Sequence, residues 1–369
     1  MVTSFIPEEE IVLDVEPVIA EDTVPRTSIT FILGEDNLEH NPYYALANHY
    51  YRLSPEDKTE IVVDSVRSIL GVCNYLKNNL PDNDRPYGVI NLVSHGNEFL
   101  DLSALVYPRG PRASSNALQK AVRDSLFIPL DTFIVDSRSL VYLHGCGVGN
   151  NQDLLNNLAL AFGAEQNGVR VKSSKLFEYY AYLSKNKNPQ SIRRYFAKTW
   201  YSFYHPDSIP DTQGFVRCLS ELYPNDSVDW ESGVRTRFQS NPGDLYHYSF
   251  VVPAVWEDYY EEQSQVPLVN TRKRRQAWVM ENQSFLDLLA KTKIPVEYFQ
   301  FRYFKPKYVR DEKTIYSLRV RAKSGVLCLI QPLLSEEEDM KKRFIPFCPQ
   351  EDDILLFGFS EIAHNISQE

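Results

Sequence analysis

A histidine at position 95 and a cysteine at position 146 each follow a short apolar, β-prone run and each stand directly before a glycine, in VINLVSHG and LVYLHGCG. A free thiol titrates near pKa ~8.5 and is mostly protonated at neutral pH, so a cysteine nucleophile needs a neighbouring imidazole and electropositive surroundings. Two side chains leaving the ends of adjacent parallel strands can meet above the sheet. Gly96 and Gly147 would let the backbone come close to a substrate, and the amides of Gly96 and Cys146 could donate to an oxyanion. Taken singly, a histidine or cysteine after a strand is usually a satisfied core or loop residue. Two of them in matching contexts point to acyl transfer, with Cys146 as nucleophile and His95 as proton carrier. His144 lies two residues before Cys146 and is expected on the same strand face, in a lining role.

The elements that must position this pair are legible. Residues 139–143 form a buried-strand run, Gly145, Gly147 and Gly149 allow a sharp turn, and Leu154, Leu155, Leu158, Ala159 and Phe162 then mark one face of a helix. Asn150 or Asn151 is the expected cap of that helix and Gly163 its stop. Side chains at the carboxyl ends of strands in an open α/β sheet sit where such sheets place their ligands. Upstream, 28–33 is a first strand that runs into Gly34, Glu35 and Asp36, and Asn41 and Pro42 open a helix through Tyr50. A short strand at 60–63 and a helix on Val66, Ile69, Leu70, Cys73, Leu76 and Leu80 follow, with Cys73 on the core stripe. Next come a strand at 87–93, a helix through Leu118 and Val122, and a strand at 169–171 ahead of Ser173 and Ser174. The alternation predicts an α/β fold with a mostly parallel sheet sandwiched by helices.

With 369 residues, 43% of them hydrophobic, the chain is expected to hold two domains, or one with a large appendage. Its net charge of −10 argues against a dedicated nucleic-acid binder and against attraction to an anionic membrane. Acids stand where a signal peptide would carry its basic region, and no apolar run reaches the ~18 residues of a span, so a soluble, cytoplasmic protein is expected. Five widely spaced cysteines (Cys73, Cys146, Cys218, Cys328, Cys348) with no CxxC pair form neither a disulfide framework nor a zinc site, and no metal or cofactor is expected. Residues 1–27 read as an arm, 28–204 as the α/β domain, and 205–369 as a β-rich region. In that last region strands are expected at 246–252 and 298–304, as a hairpin turning at Lys323, Ser324 and Gly325, and at 354–359. The run Arg272, Lys273, Arg274, Arg275 reads as a solvated loop and as a candidate processing site. GCGVGN hints at a nucleotide-binding turn, but Asn150 stands where a third glycine is needed and no GK[ST] is present.

The two blocks together, VINLVSHG and LVYLHGCGVGNN followed by LLNNLALAFGA, resemble the His-Gly and Cys blocks of the caspase-type (clan CD) cysteine peptidases. The group includes caspases, legumains, separases, clostripains, gingipains and the CHAT proteases, and the look is nearest to the CHAT, clostripain and gingipain branches. The resemblance spans about 28–175, and no QAC pentapeptide surrounds Cys146. It implies a thiol protease with a His95–Cys146 dyad, hydrolysing protein or peptide substrates through a thioester and possessing an activating or regulatory partner. A catalytically silent interaction module of the same fold is the alternative. In this fold the pocket for the residue before the scissile bond would be built from Glu35, Asp36, His144 and Ser173. Relatives that cut after Arg or Lys often carry an acid where His144 stands. Glu35 and Asp36 would nonetheless favour cleavage after Arg or Lys, with Asp36 the main partner, since carboxylates hold guanidinium by paired, charge-assisted bonds.

Overall fold

The computed structural model describes residues 25–36, 42–54, 57, 59–81, 85–183, 188–205, 211–237, 243–310, 313–335 and 345–357. The expected arm, apart from 25–27, and positions 358–359 of the last expected strand lie outside them. In chain order the first part holds β1 (Ile29–Ile32), α1 (Tyr43–Leu53), β2 (Ile61–Val63), α2 (Ile69–Asn78), β3 (Val89–Val93) and a tight pair, β4 (Gly96–Asn97) and β5 (Asp101–Leu102). It continues with α3 (Ser115–Arg123), β6 (Leu140–His144), α4 (Gln152–Phe162), α5 (Ala164–Asn167) and β7 (Arg170–Ser174). Then come β8 (Phe177–Tyr182), β9 (Ile192–Tyr204), α6 (Thr212–Leu222), α7 (Trp230–Arg235), β10 (Tyr246–Tyr260), α8 (Arg272–Glu281) and α9 (Gln283–Ala290). The last elements are β11 (Gln300–Phe304), β12 (Lys307–Arg310), β13 (Lys313–Leu333) and β14 (Ile354–Phe357).

The first sheet runs β2-β1-β3-β6-β7-β14, parallel throughout except for β14. Its strands are apolar on both faces because helices and a second sheet cover both. Ile29 and Phe31, Ile90 and Leu92, and Val141 and Leu143 pack into one core with α2, α3 and α4. Ile32 and Val93 point the other way, against Tyr43, Tyr44, Tyr50 and Tyr51 of α1. Asn151 caps α4 by accepting the Leu154 N–H at 3.1 Å, and Gly163, at φ +85°, ends it as anticipated. This is a mixed α/β fold with a mostly parallel sheet flanked by helices and a strand-rich C-terminal part.

The second sheet runs β10-β13-β9-β8, all antiparallel, with β11 and β12 pairing to the first half of β13. The change of sheet falls between β7 and β8, so 177–204 belongs with the second sheet, while β14 returns to the first. Four helices, α6 to α9, interrupt the strand-rich region. The expected hairpin at 323–325 is instead the middle of a single 21-residue strand. Gly325 serves close packing there, since a Cβ would meet the Tyr204 ring at 2.5 Å. Pairing to β10 on one side and β9 on the other overrides the turn chemistry of Ser-Gly.

One face of this second sheet is buried along its length. Tyr195, Val252, Leu318, Val326 and Cys328 belong to one core that also takes in Val279 of α8 and Phe285 and Leu289 of α9. The opposite face is covered over only half its length, where Trp200, Leu327 and Leu329 meet Phe215, Leu219 and Trp230 of α6 and α7. The loop after His95 ties the sheets together. Asn97 Oδ1 accepts the Phe99 and Leu100 N–H groups at 2.9 and 2.8 Å, and Phe99 sets its ring edge-on to Tyr201 at 4.8 Å.

Candidate active site

The pairing of β3 with β6 ends at Val93↔His144, and the Ser94 N–H then donates to the His144 carbonyl at 3.0 Å. His95 and Cys146 therefore stand at matching register positions, each two residues beyond the last pair, on adjacent parallel strands. Glycine keeps the two chains close: a Cβ on Gly145 would lie 3.1 Å from the Ser94 carbonyl. Gly147, at φ +67°, turns the chain in the left-handed region, and its N–H donates to the Leu176 carbonyl at 2.9 Å. Asn150 Nδ2 adds a bond to the Lys175 carbonyl at 2.9 Å. The cysteine turn is thus tied to the β7–β8 connection. Of the two amides expected to serve an oxyanion, Gly96 lies in β4 opposite Leu102, and Cys146 opens the turn.

The His95 ring stacks on Tyr43 with centroids 4.4 Å apart and meets Tyr44 edge-on at 4.7 Å, and the His95 main-chain N–H donates to Tyr44 Oη at 2.9 Å. Burial lowers the imidazole pKa and outweighs the charge of Asp36, which raises it. The Asp36 oxygens accept the Tyr44 and Ala45 N–H groups at 3.0 and 2.8 Å, capping the first turn of α1. Asp36 thereby acts on His95 through the two tyrosines it positions and through its field.

Cys146 is 6% exposed, and Sγ donates to the Glu178 main-chain carbonyl of β8 at 3.3 Å. Burial pushes the thiol up to about 12. Tyr43 Oη is buried with no hydrogen-bond partner among the described residues. Burial raises its pKa first, and Cys146 raises it further. Tyr201, Tyr246 and Tyr248 of the second sheet are raised in the same way, by burial foremost and in part by Cys146. The nucleophile candidate is therefore a buried, neutral thiol held against the Glu178 main chain of the second sheet. His95 and Cys146 share no hydrogen bond among the described residues. Thiolate is the reactive form, so iodoacetamide labelling of Cys146, followed by peptide mass spectrometry, is expected to keep rising past pH 10. A plateau near pH 9 to 10, the profile of an ordinary thiol, would contradict this environment.

His144 does not reach the surface. Its ring is wholly buried, with Nδ1 2.7 Å from Glu178 Oε1 and Nε2 2.9 Å from Tyr51 Oη and 3.0 Å from Asn91 Oδ1. Tyr180 Oη reaches Glu178 Oε1 at 3.3 Å, and Arg194 lies 3.9 Å from the same oxygen while pairing with Asp57 at 3.1 Å. Burial raises the Glu178 carboxyl, but its partners outweigh burial and hold it below the usual range. Burial lowers the His144 imidazole against the opposing pull of Glu178, and the short Nδ1–Oε1 contact is the hydrogen bond that joins the two side chains. Arg194 supplies the permanent countercharge. None of Glu178, Arg194 and Tyr51 emerged from the sequence, although a lone acid inside FEYYAY marks a buried charge that needs a partner.

The remaining expected pocket residues are dispersed. Exposed Glu35 pairs with Arg67 at 3.0 Å, and buried Ser173 donates its hydroxyl to the Leu143 carbonyl at 2.7 Å. The run Arg272, Lys273, Arg274, Arg275 is the exposed first turn of α8, capped by Thr271, rather than a loop. Cutting there requires local unwinding. A cleft of about 560 Å³ opens beside the site between the loops that follow His95 and Cys146, on one side, and β10 and Lys291–Lys293 on the other. Neither His95 nor Cys146 lines it. Among the described residues no cluster of three or more His, Cys, Asp or Glu is placed to hold a metal, and no helix is long and apolar enough to cross a membrane. No family model, no curated protein and no solved structure matches the chain.

Proposed function

We propose that the chain is a cysteine peptidase of the caspase type that rests in a latent state. The observation that carries this reading is the shared register of His95 and Cys146 at the carboxyl edge of adjacent parallel strands, each with a glycine beside it. In the reaction Sγ attacks the peptide carbonyl carbon, and the thiol proton passes through His95 to the leaving amine as the C–N bond breaks. Water then adds to the thioester, releasing the carboxylate and restoring the thiol. The Gly96 and Cys146 amides are the donors for the oxyanion. A substrate chain would enter along the 560 Å³ cleft.

Latency follows from the thiol's surroundings. Cys146 must leave the Glu178 carbonyl and become exposed before sulfur can meet a carbonyl carbon. A ligand or partner that moves β8 would release that bond. Preference for Arg or Lys before the cut has less support, because Glu35 is paired to Arg67 and both Asp36 oxygens cap α1. The second reading, a catalytically silent interaction module, is favoured by one observation, the 6% exposure of Cys146.

A set of N-blocked peptidyl acyloxymethyl ketones that differ in the residue next to the warhead separates these readings. The expected result is a covalent adduct on Cys146 that forms faster with a peptide than with the warhead alone and is lost in His95→Ala. Equal labelling by the bare warhead, with no dependence on His95, would leave the silent module. The preferred residue in the same set decides the Arg or Lys question.

A further inference from the structure

The net charge of −10 conceals a strong asymmetry. Eight of the chain's 39 Lys and Arg residues, but only two of its 49 Asp and Glu residues, fall within 300–323. That interval contains β11, β12 and the first half of β13, the half of the second sheet whose outer face α6 and α7 leave uncovered. The distant acids are screened beyond a Debye length of ~8 Å at physiological salt, so the local field is set by the local cations.

The register fixes what this outer half-face presents. Val255, Arg321 and Arg302 lie in one cross-strand row, and Glu257, Arg319 and Phe304 in the next. Arg302 and Arg321 are thus direct cross-strand neighbours of like charge, an arrangement that costs stability in a sheet. Both are exposed, and neither has an ion pair among the described residues. Arg321 lies over the Phe304 ring at 5.1 Å. Glu257 is the one carboxylate on this half-face among the described residues, and its oxygens are already taken. Arg319 Nε, Tyr308 Oη and Ser317 Oγ donate to it at 2.9, 2.8 and 2.7 Å. Large rings stand open beside the guanidinium groups: Tyr259 is 63% and Phe304 41% exposed, and Tyr259 lies 6.2 Å from Tyr308.

We propose that this bare half-face is a binding site for single-stranded nucleic acid. An antiparallel sheet face that interleaves open aromatic rings with arginines offers a stacking surface for unpaired bases and charge for the backbone phosphates. A phosphate placed over Arg302 and Arg321 relieves their repulsion, and Phe304 in the next row and Tyr259 in the row beyond it take successive bases on one side of that phosphate. A duplex hides its base faces from such a platform, and an acidic peptide has no use for the rings.

The test is fluorescence anisotropy of a labelled 20-nucleotide oligo-U and oligo-dT against the full chain at 50 mM and 200 mM salt. Saturable binding that weakens with salt is expected. Arg302→Glu with Arg321→Glu is expected to lower affinity at least tenfold, and Phe304→Ala and Tyr259→Ala about fivefold or more each, consistent with loss of one stacked base. Circular dichroism checks the fold of each variant; should the charge reversal not fold, the two aromatic variants carry the test alone. Absence of binding at 50 mM salt overturns the proposal. So does unchanged affinity in both aromatic variants, displacement by polyglutamate as effective as by unlabelled oligonucleotide, or tighter binding to phosphatidylserine vesicles. These residues lie outside the candidate active site, so the result is independent of the peptidase reading.

Discussion

Cys146→Ala is expected to abolish peptide hydrolysis by the activated chain while leaving its fold intact. In the proposed mechanism sulfur forms the acyl intermediate, and removing such a nucleophile from a comparable dyad or triad costs ten-thousand-fold or more in turnover. The structural cost is small, because the thiol's polar contact is one weak bond to the Glu178 carbonyl and the change removes a single side-chain heavy atom. His95→Ala is expected to lose activity to a similar extent, for a different reason. Without the imidazole the leaving amine must depart unprotonated, and the thiol, already pushed up to about 12, has no route to its thiolate. Turnover of a fluorogenic peptide chosen from the warhead set reads both variants, with thermal unfolding as the control. Hydrolysis by purified Cys146→Ala at the wild-type rate would end the peptidase reading. Loss in Cys146→Ala with full retention in His95→Ala would leave the thiol in place and require another proton carrier, for which Tyr43, stacked on His95 and with a hydroxyl that has no partner among the described residues, is a candidate.

How much of this site was legible in the sequence depends on whether the signal was local. The strand–turn–helix around Cys146 was, since Asn151, Gly147 and Gly163 act within a few residues of themselves. The relative placement of His95 and Cys146 needed only the inference that their strands are adjacent and parallel, and the alternation of elements supplied it. Asp36 was readable in one sense. An acid ahead of Pro42 is a natural cap, and the structure uses it so, whereas its place in a substrate pocket rested on resemblance alone.

Long-range partners were not legible. Ser324 and Gly325 carry turn chemistry, yet the competing partners β9 and β10 are separated from them by tens of residues in the chain. Glu178 and Arg194 lie on neighbouring strands of the second sheet but meet His144 of the first, a contact with no period or spacing to reveal it. The burial of Cys146 arises in the same way, with its Sγ against the Glu178 carbonyl of the second sheet. Reactivity of the thiol is therefore a property of how two sheets meet rather than of the motif that holds it.

Arg194→Met is expected to destabilise the fold by about 3–5 kcal/mol at pH 7, the usual cost of leaving one member of a buried ion pair behind. The stranded charge is Glu178, whose side chain is wholly buried and whose Oε2 has no hydrogen-bond partner among the described residues. In the wild type the Glu178 carboxyl lies below its usual range, so its stabilising contribution is present above the unfolded-state value of ~4.3 and is lost as pH falls through the lower folded value. In the variant the sign reverses. With the arginine gone, burial favours a bound proton, on Glu178 itself or on His144 beside it, so the folded state holds more protons than the unfolded one at neutral pH. Stability of Arg194→Met is therefore expected to rise as pH is lowered from 7 toward 5, the direction opposite to the wild type's carboxylate contribution. Urea unfolding at several pH values measures this, and the double variant Arg194→Met with Glu178→Gln, which removes both charges, is expected to recover much of the loss and most of the pH dependence. A single variant as stable as wild type at pH 7, or one that weakens further on acidification, would show that Arg194 is not the countercharge that lets Glu178 stay ionised beneath the candidate nucleophile.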